Sequence, residues 1–415
     1  MPEPTSTSSE TLGRRTAFLA PLSVRNFRLL WIGETVSVLG DQFYFVALPW
    51  LALQLSNSGL ALGSVLMAAA IPRAAFMLAG GVATDRFTPR AVMLMSNVAR
   101  CLIVSLMTVL VFRHAAQMWH LYALAVAFGT FDAFFYPAYI SVLPSLLEPA
   151  QLAAGNSLMQ ASVQLTGLIG PATAGVMVGA AGLAAAFGLD AASFIVSIVA
   201  LVMITAGGAA PTNQPRTSLL GSIREGIAYA LAHPVIRSLL VAYATMNLFL
   251  TGPFMVGAPL LAKLRFGGAA ALGLLYSSFG AGALAGTIAA GHDHRKRRLG
   301  PLLVTVYSAA GVTMIALGLI WRLWISAGIL LLLGLIVGYS NIQMLAYLQR
   351  QTEPDKMGRV MSLIMLCAHG LLPLSYVAAG AVSKIGTTVL FLASGVAVIA
   401  ITTVQFRSPQ FWRKE

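Results

Sequence analysis

The chain has 415 residues, 58% of them hydrophobic and only 9% charged, with 26 Lys and Arg against 13 Asp and Glu. A soluble domain carries about 25% charged residues, so this composition, with a mean hydropathy of +0.82, excludes a water-soluble fold. The net charge of +13 does not point to nucleic acid, because the basic residues sit in short segments between apolar runs, where a membrane orders them.

Residues 1–26 read as a cytoplasmic tail. It holds Arg14 and Arg15 but no apolar core followed by a small-residue cleavage site, so the run from Phe27 is expected to be the first span. A membrane-crossing helix needs about 20 mainly apolar residues. Runs of that kind predict six spans in a first bundle over 27–206: 27–53, 59–84, 90–112, 118–143, 152–180 and 182–206. A linker over 207–235 opens with Gly207-Gly208 and the turn-rich stretch Pro211 to Pro215. From Thr217 it becomes amphipathic, with Leu219, Leu220, Ile223, Ile227 and Leu231 on one side and Arg224 and Glu225 off it, as a helix lying in the interface would be. A second bundle over 236–406 follows, with spans at 236–262, 269–291, 299–320, 323–348, 357–382 and 386–406, and then a tail at 407–415. The fold class expected is therefore an all-α membrane protein of twelve transmembrane helices.

With both termini cytoplasmic, 19 of the 26 basic residues fall on the cytoplasmic side. The outer ends carry only Arg113, Lys263, Arg265, Arg322 and Lys384, a bias that orients the chain. Arg295, Lys296, Arg297 and Arg298 are expected to contact lipid headgroups. Cys101 and Cys367 lie in apolar segments without a ligand partner at metal-binding spacing, and read as small buried hydrophobes.

The two halves also resemble each other. Leu147-Glu148-Pro149 corresponds to Thr352-Glu353-Pro354, Pro49 to Pro259, and Pro171 to Pro373, in similar order. A duplicated six-helix unit places a substrate site between the halves near mid-bilayer. Small-residue pairs suited to close helix packing occur at Gly175/Gly179, Gly282/Gly286 and Gly334/Gly338.

Ionisable side chains inside spans are costly and functional by default. Glu34, Asp41, Arg73, Arg100, Asp132 and Asp190 crowd the first half, whereas the second has only His369 well inside a span, with Thr251 standing where Asp41 stands in the first. Glu34 and Asp41 are seven residues apart and share one helix face. A carboxyl group taken out of water can exchange a proton near neutral pH. Asp41, Glu34 and Asp132 are thus candidates for proton coupling or for holding cargo, and Arg100 for pairing with an acid and tuning it. The bland alternative is a structural ion pair of Asp41 or Asp132 with Arg100 or Arg73. Asp190 reads as a structural charge and His369 as a hydrogen-bonded packing residue. Phe43, Tyr44, Phe134, Phe135 and Tyr136 are aromatic surfaces for packing or for an amphiphilic ligand. No Ser/His/Asp set, zinc-binding HExxH or phosphate-binding loop is present, so neither an enzyme nor an ATP-driven pump is expected, and no cofactor or metal.

Gly81-Val-Ala-Thr-Asp85-Arg86-Phe-Thr-Pro-Arg90, between the second and third spans, resembles the signature loop of the major facilitator superfamily. Gly81, Asp85, Arg86 and Arg90 match it, while Thr88 replaces a glycine and Pro89 a basic residue. Gly167-Leu-Ile-Gly170-Pro171-Ala-Thr-Ala-Gly175 resembles the glycine-rich antiporter motif of the same family. The stretches Asn26 to Trp31, Leu39 to Pro49, Ala133 to Ala138, Arg224 to Pro234 and Gly358 to Leu363 are similar to the bacterial macrolide-efflux and enterobactin-export subgroup. This resemblance implies two pseudo-symmetric six-helix bundles that rock about a central site, with Asp85, Arg86 and Arg90 as a charge lock. It implies proton-coupled export of a small amphiphile, such as a drug, macrolide or siderophore, by a monomer in a bacterial inner membrane. The reading left open beside it is an importer or uniporter of another small solute.

Overall fold

The structure, a computed structural model, describes residues 18–205, 228, 233–293, 299–353 and 356–405. The N-terminal arginines, the amphipathic stretch from Thr217, the basic run Arg295–Arg298 and the tail at 407–415 lie outside the described residues. Among the described residues every regular element is helical.

Helix α1 spans Arg25–Ser56 and stops at Asn57, whose left-handed backbone (φ 50) ends the run. Two residues on, the Ser58 hydroxyl accepts from Ala61 N and starts α2, Gly59–Arg86. Pro89 opens α3, Pro89–Phe112, at a position where a missing N–H costs nothing, and Thr88 caps it. Helix α4 covers Met118–Leu146. Helix α5 runs over 52 residues, Leu152–Met203, roughly 78 Å at 1.5 Å per residue and far beyond the ~30 Å apolar core of a bilayer. It is in fact folded back on itself at Gly182, whose φ of 84 only glycine adopts cheaply.

Contacts with α1 prove the reversal. The first arm climbs beside α1: Phe27 fills the space over Gly155, Trp31 donates to Ser162 Oγ at 2.9 Å, and Gln42 lies on Gly170. The second arm descends: Ser193 packs on Gly40, Ala200 on Gly33, and Thr205 N reaches Asn26 Oδ1. Eleven helical runs are long and apolar enough to cross a membrane. One of them is this double arm, so among the described residues there are twelve crossings, as expected.

In the second half the seventh span is interrupted. Helix α6, Pro234–Met246, passes through a π turn, Asn247–Thr251, into α7, Gly252–Leu261, and a second π turn, Ala262–Phe266. Pro253, which has no N–H and crowds the carbonyl four residues back, accounts for the first of these. Helices α8 (Ala269–His292), α9 (Leu299–Leu319) and α10 (Leu323–Gln351) follow. The eleventh span breaks at Leu371, ahead of Pro373, into α11, Met357–Gly370, and α12, Leu372–Ser383, and α13 is Thr387–Gln405. Helices α8 and α10 meet along a glycine seam: Gly282 and Gly286 lie on the backbone of Leu331 and Leu335, and Gly334 and Gly338 on Phe279 and Ala283. On α5, Gly175 lies against the backbone of α8, whereas a Cβ on Gly179 would meet no neighbouring element, so these two glycines do not form a seam together.

The two halves of the chain touch at the end of the bundle remote from the start of α1. A Cβ on Gly175 would stand 2.9 Å from the Cα of Gly273, and Gly280 rests on the carbonyl of Gly167, so α5 and α8 are in backbone contact. Helices α2 and α12 meet likewise, through Gly59, Gly63 and Gly380. Lys263 bridges the halves there, donating to the Leu53 carbonyl and to Asn57 Oδ1. Towards the start of α1 the α5–α8 contact opens into a cavity of about 570 Å³. Its lining includes Asn156, Gln160 and Gln164 of α5 and Leu284 and Thr287 of α8.

Candidate transport site

Polar side chains in the first half form one connected chain across five helices. Asp132 on α4 accepts from Arg73 Nε on α2 at 3.0 Å and from Arg100 Nη1 on α3 at 3.3 Å. Arg100 Nη2 donates to Asn97 Oδ1, Asn97 Nδ2 to Ser197 Oγ at 2.9 Å, and Ser197 Oγ to Glu34 Oε1 at 3.1 Å. Arg100 is only 2% exposed, and its guanidinium lies 4.2 Å from the ring centre of Phe135 and 4.8 Å from that of Phe194. A cation out of water is tolerated where it is paired, hydrogen-bonded and set over aromatic faces, and Arg100 has all three.

Glu34 and Asp41 share a face as their spacing predicts, and that face meets the second arm of α5. Glu34 reaches Ser197. Asp41 lies beside Gly40, against whose backbone Ser193 and Asp190 pack. Asp132 takes both arginines, so of the two acids expected as partners in a structural ion pair, Asp41 or Asp132, it is Asp132 that forms it. Asp41 Oδ1 and both carboxylate oxygens of Asp190 are buried without a hydrogen-bond partner. Asp190, read from the sequence as a structural charge, has no hydrogen-bond partner for either oxygen. Asn97, Ser193 and Ser197 were not singled out from the sequence. Their signal was positional: Asn97 lies one turn before Arg100, and Asp190, Ser193 and Ser197 repeat at helical spacing on one face.

The aromatic candidates divide. Tyr44 is buried and stacked on Phe128 at 4.5 Å, Phe43 is buried, and Phe135 underlies Arg100, so these three serve packing and the cluster. Phe134 pairs with Phe76, and Tyr136 is exposed. His369, at the end of α11, is within electrostatic reach of Arg73 and Asp132. Its Nδ1 is buried and unpaired, so the hydrogen-bonded packing role expected of it is not what the structure contains. A separate cavity of about 120 Å³ lies beside the first π turn, lined by Asn247, Thr251, Tyr307, Ser340 and Asn341 among others. The second half thus offers uncharged hydrogen-bonding groups where the first offers charges. Cys101 and Cys367 are free thiols of intermediate burial.

The two sequence motifs occupy contacts between helices. Gly170 packs on Gln42 and Leu39 of α1, Pro171 turns its carbonyl towards Gly273, and Gly175 lies against α8. At the loop between α2 and α3, Arg86 is exposed, and the side chains of Gly81 and Asp85 lie outside the described residues. Arg90 donates from Nε to the Leu201 carbonyl at 2.7 Å and from Nη2 to that of Val202 at 2.8 Å. It thereby caps the free carbonyls at the end of α5, where a cation is favoured.

The family model of the Major Facilitator Superfamily matches residues 30–375. The chain is 27% identical over 384 residues to the multidrug efflux pump Tap of Mycolicibacterium fortuitum, covering 89% of this chain and 92% of Tap. It is 24% identical over 343 residues to the enterobactin exporter EntS of Citrobacter koseri, covering 80% and 79%. Among solved structures, a bacterial homologue of the iron transporter ferroportin in an inward-facing state superposes with a TM-score of 0.73 at 17% identity, over 92% of this chain and 99% of that one. The nucleoside transporter NupG does so with a TM-score of 0.71 at 11% identity, over 94% and 100%. At such identities the structural likeness speaks for the fold alone.

Proposed function

The chain belongs to the Major Facilitator Superfamily, and we propose that within it the protein is a proton-coupled exporter of small amphiphilic molecules that carry a cationic or polar group. Membership makes it a multi-pass membrane transporter of a small-molecule substrate and not an enzyme. What carries the proposal is the imbalance of charge inside the bundle: among the described residues, Glu34, Asp41, Asp132 and Asp190 are faced by two cations, Arg73 and Arg100. Buried carboxylates without counter-charge are expensive, so the cluster is stable when positive charge is supplied from elsewhere. A proton and a cationic cargo group are the two sources at hand. If they compete for the same acids, binding one expels the other, which is antiport. Export as the direction is supported by the likeness to the multidrug efflux pump Tap and the enterobactin exporter EntS.

The excess of basic residues on the terminal side supports an inner-membrane protein with both termini cytoplasmic. In that orientation Lys263 and the glycine contacts close the outer end, and the cavity between α5 and α8 opens inward. Its amide side chains beside apolar ones suit amphiphilic cargo in contact with membrane lipid. Protonation from outside would release cargo there, and rocking of the halves on the Gly175–Gly273 and Gly63–Gly380 contacts would return the site to the inside. One chain holds both halves of the path, so a monomer suffices.

The test is accumulation of ethidium, a cationic amphiphile, in everted membrane vesicles under an imposed proton gradient, acid inside. The expected outcome is gradient-dependent movement, abolished by Asp41→Asn. Movement that is undiminished after the gradient is collapsed would refute the coupling, and net uptake into cells would favour the importer.

A further inference from the structure

Asp190, like Asp41, is a carboxyl of the cluster for which the polar chain makes no provision. It stands on the second arm of α5, 0% exposed, with neither oxygen hydrogen-bonded. Glycine at position 40 lets it press against α1: a Cβ there would lie 3.0 Å from Asp190 Oδ1. The next residue along α1 is Asp41, whose own Oδ1 is buried and unpaired. The ionisable groups facing the pair are Glu34 and Tyr44 on α1, Arg73 on α2, Arg100 on α3 and Asp132 on α4. Arg100, the nearer cation, spends both terminal nitrogens on Asp132 and Asn97, and its Nε is unbonded. Two neighbouring carboxyls with three buried, unbonded oxygens repel each other when both are ionised, and a single positive charge shared between them relieves that repulsion.

We propose that Asp41 and Asp190 hold one proton between them and form the coupling-ion site, distinct from Asp132, which stays paired with its two arginines. The proton binds one carboxylate oxygen, and its O–H donates to the other carboxylate. No other bond changes, and the same proton later leaves to water on the opposite side. This deepens the export reading and rests on it for the word coupling, but the proton itself can be sought without any cargo.

The experiment is infrared difference spectroscopy of the purified full-length protein between acid and alkaline pH, with the protons released counted in parallel. The wild type should show a protonated-carboxyl band that comes and goes with pH. Asp190→Asn should remove it with one proton fewer released per protein, Asp41→Asn should shift or remove it, and Asp132→Asn should leave it in place. Asp190→Glu, which keeps the carboxyl, should retain the band and controls for misfolding. An unchanged spectrum in Asp190→Asn would overturn the proposal and make Asp190 an ionised counter-charge to Arg100. Loss of the wild-type band on adding sodium at fixed pH would overturn it in favour of a metal cation. A lost band with proton-driven ethidium efflux intact would overturn the coupling role while leaving export standing. A failure of wild-type efflux with the band present would strike the export reading alone.

Discussion

Arg100 is the largest fully buried side chain among the described residues, and replacing it by methionine tests the cluster as a whole. Methionine keeps much of the volume and the apolar contact with Phe135 and Phe194, so little of the effect comes from a cavity. What disappears is the cation that joins Asp132 to Asn97. Breaking a buried ion pair from one side costs about 3–5 kcal/mol, because the other charge stays behind uncompensated. Asp132 keeps Arg73, whose side chain is 38% exposed, so the lower figure, about 3 kcal/mol, is expected for Arg100→Met. That is roughly a hundredfold in the ratio of folded to unfolded protein. The assay is equilibrium unfolding in mixed micelles, in a cycle with Asp132→Asn. Removing both partners should cost less than the sum of the single changes, with a coupling of about 2 kcal/mol. Arg100→Lys should not restore stability, since an ammonium cannot present two separated donors in the plane of a guanidinium. A loss below about 0.5 kcal/mol for Arg100→Met, with additive behaviour in the double variant, would refute the ion-pair account.

Other outcomes follow from the contacts between the halves. Lys263→Ala removes the two hydrogen bonds to Leu53 and Asn57; at a half-exposed site this is worth about 1 kcal/mol. The population open at that end should rise about fivefold, seen in distances between spin labels on α1 and α7. Gly175→Leu forces a side chain onto the backbone of Ala269 and Gly273; about 1–3 kcal/mol of overpacking should prevent closure at that end and stop turnover without preventing insertion. Gln160→Cys lines the cavity between α5 and α8 and should react with a membrane-impermeant maleimide supplied to the cytoplasmic face. Ala269→Cys, at a buried position on the closed end of α8, should be protected, and the reverse pattern would overturn the inward-open assignment.

Much of the fold is legible in the sequence because crossing a bilayer is a local requirement. About 20 apolar residues in a row satisfy it wherever they occur, and the predicted ends fall within a few residues of those of α1 to α4, α8 to α10 and α13. The turn between the two arms of α5 is legible for the same reason: a 52-residue helix cannot cross once, and Gly182 is the residue that permits the reversal. The π turns of the seventh span were less visible. Their cause, Pro253, is a single residue whose effect depends on whether the neighbouring carbonyls find other partners.

The candidate site divides in the same way. Composition and position in the chain alone determined that charge would be concentrated in the first half, since an ionisable residue inside an apolar run stands out without reference to any other. Which acid meets which base was decided only by the tertiary structure. Asp132 took both arginines, Glu34 took Ser197, and Asp190 was left with none, through contacts between residues 32 to 163 positions apart. Helix phase places a side chain on a face, but which helix that face meets, and how closely, depends on where glycines such as Gly40 and Gly175 allow two backbones to touch. That distance, and not the chemistry of the residue, separates a paired buried carboxylate from an orphaned one.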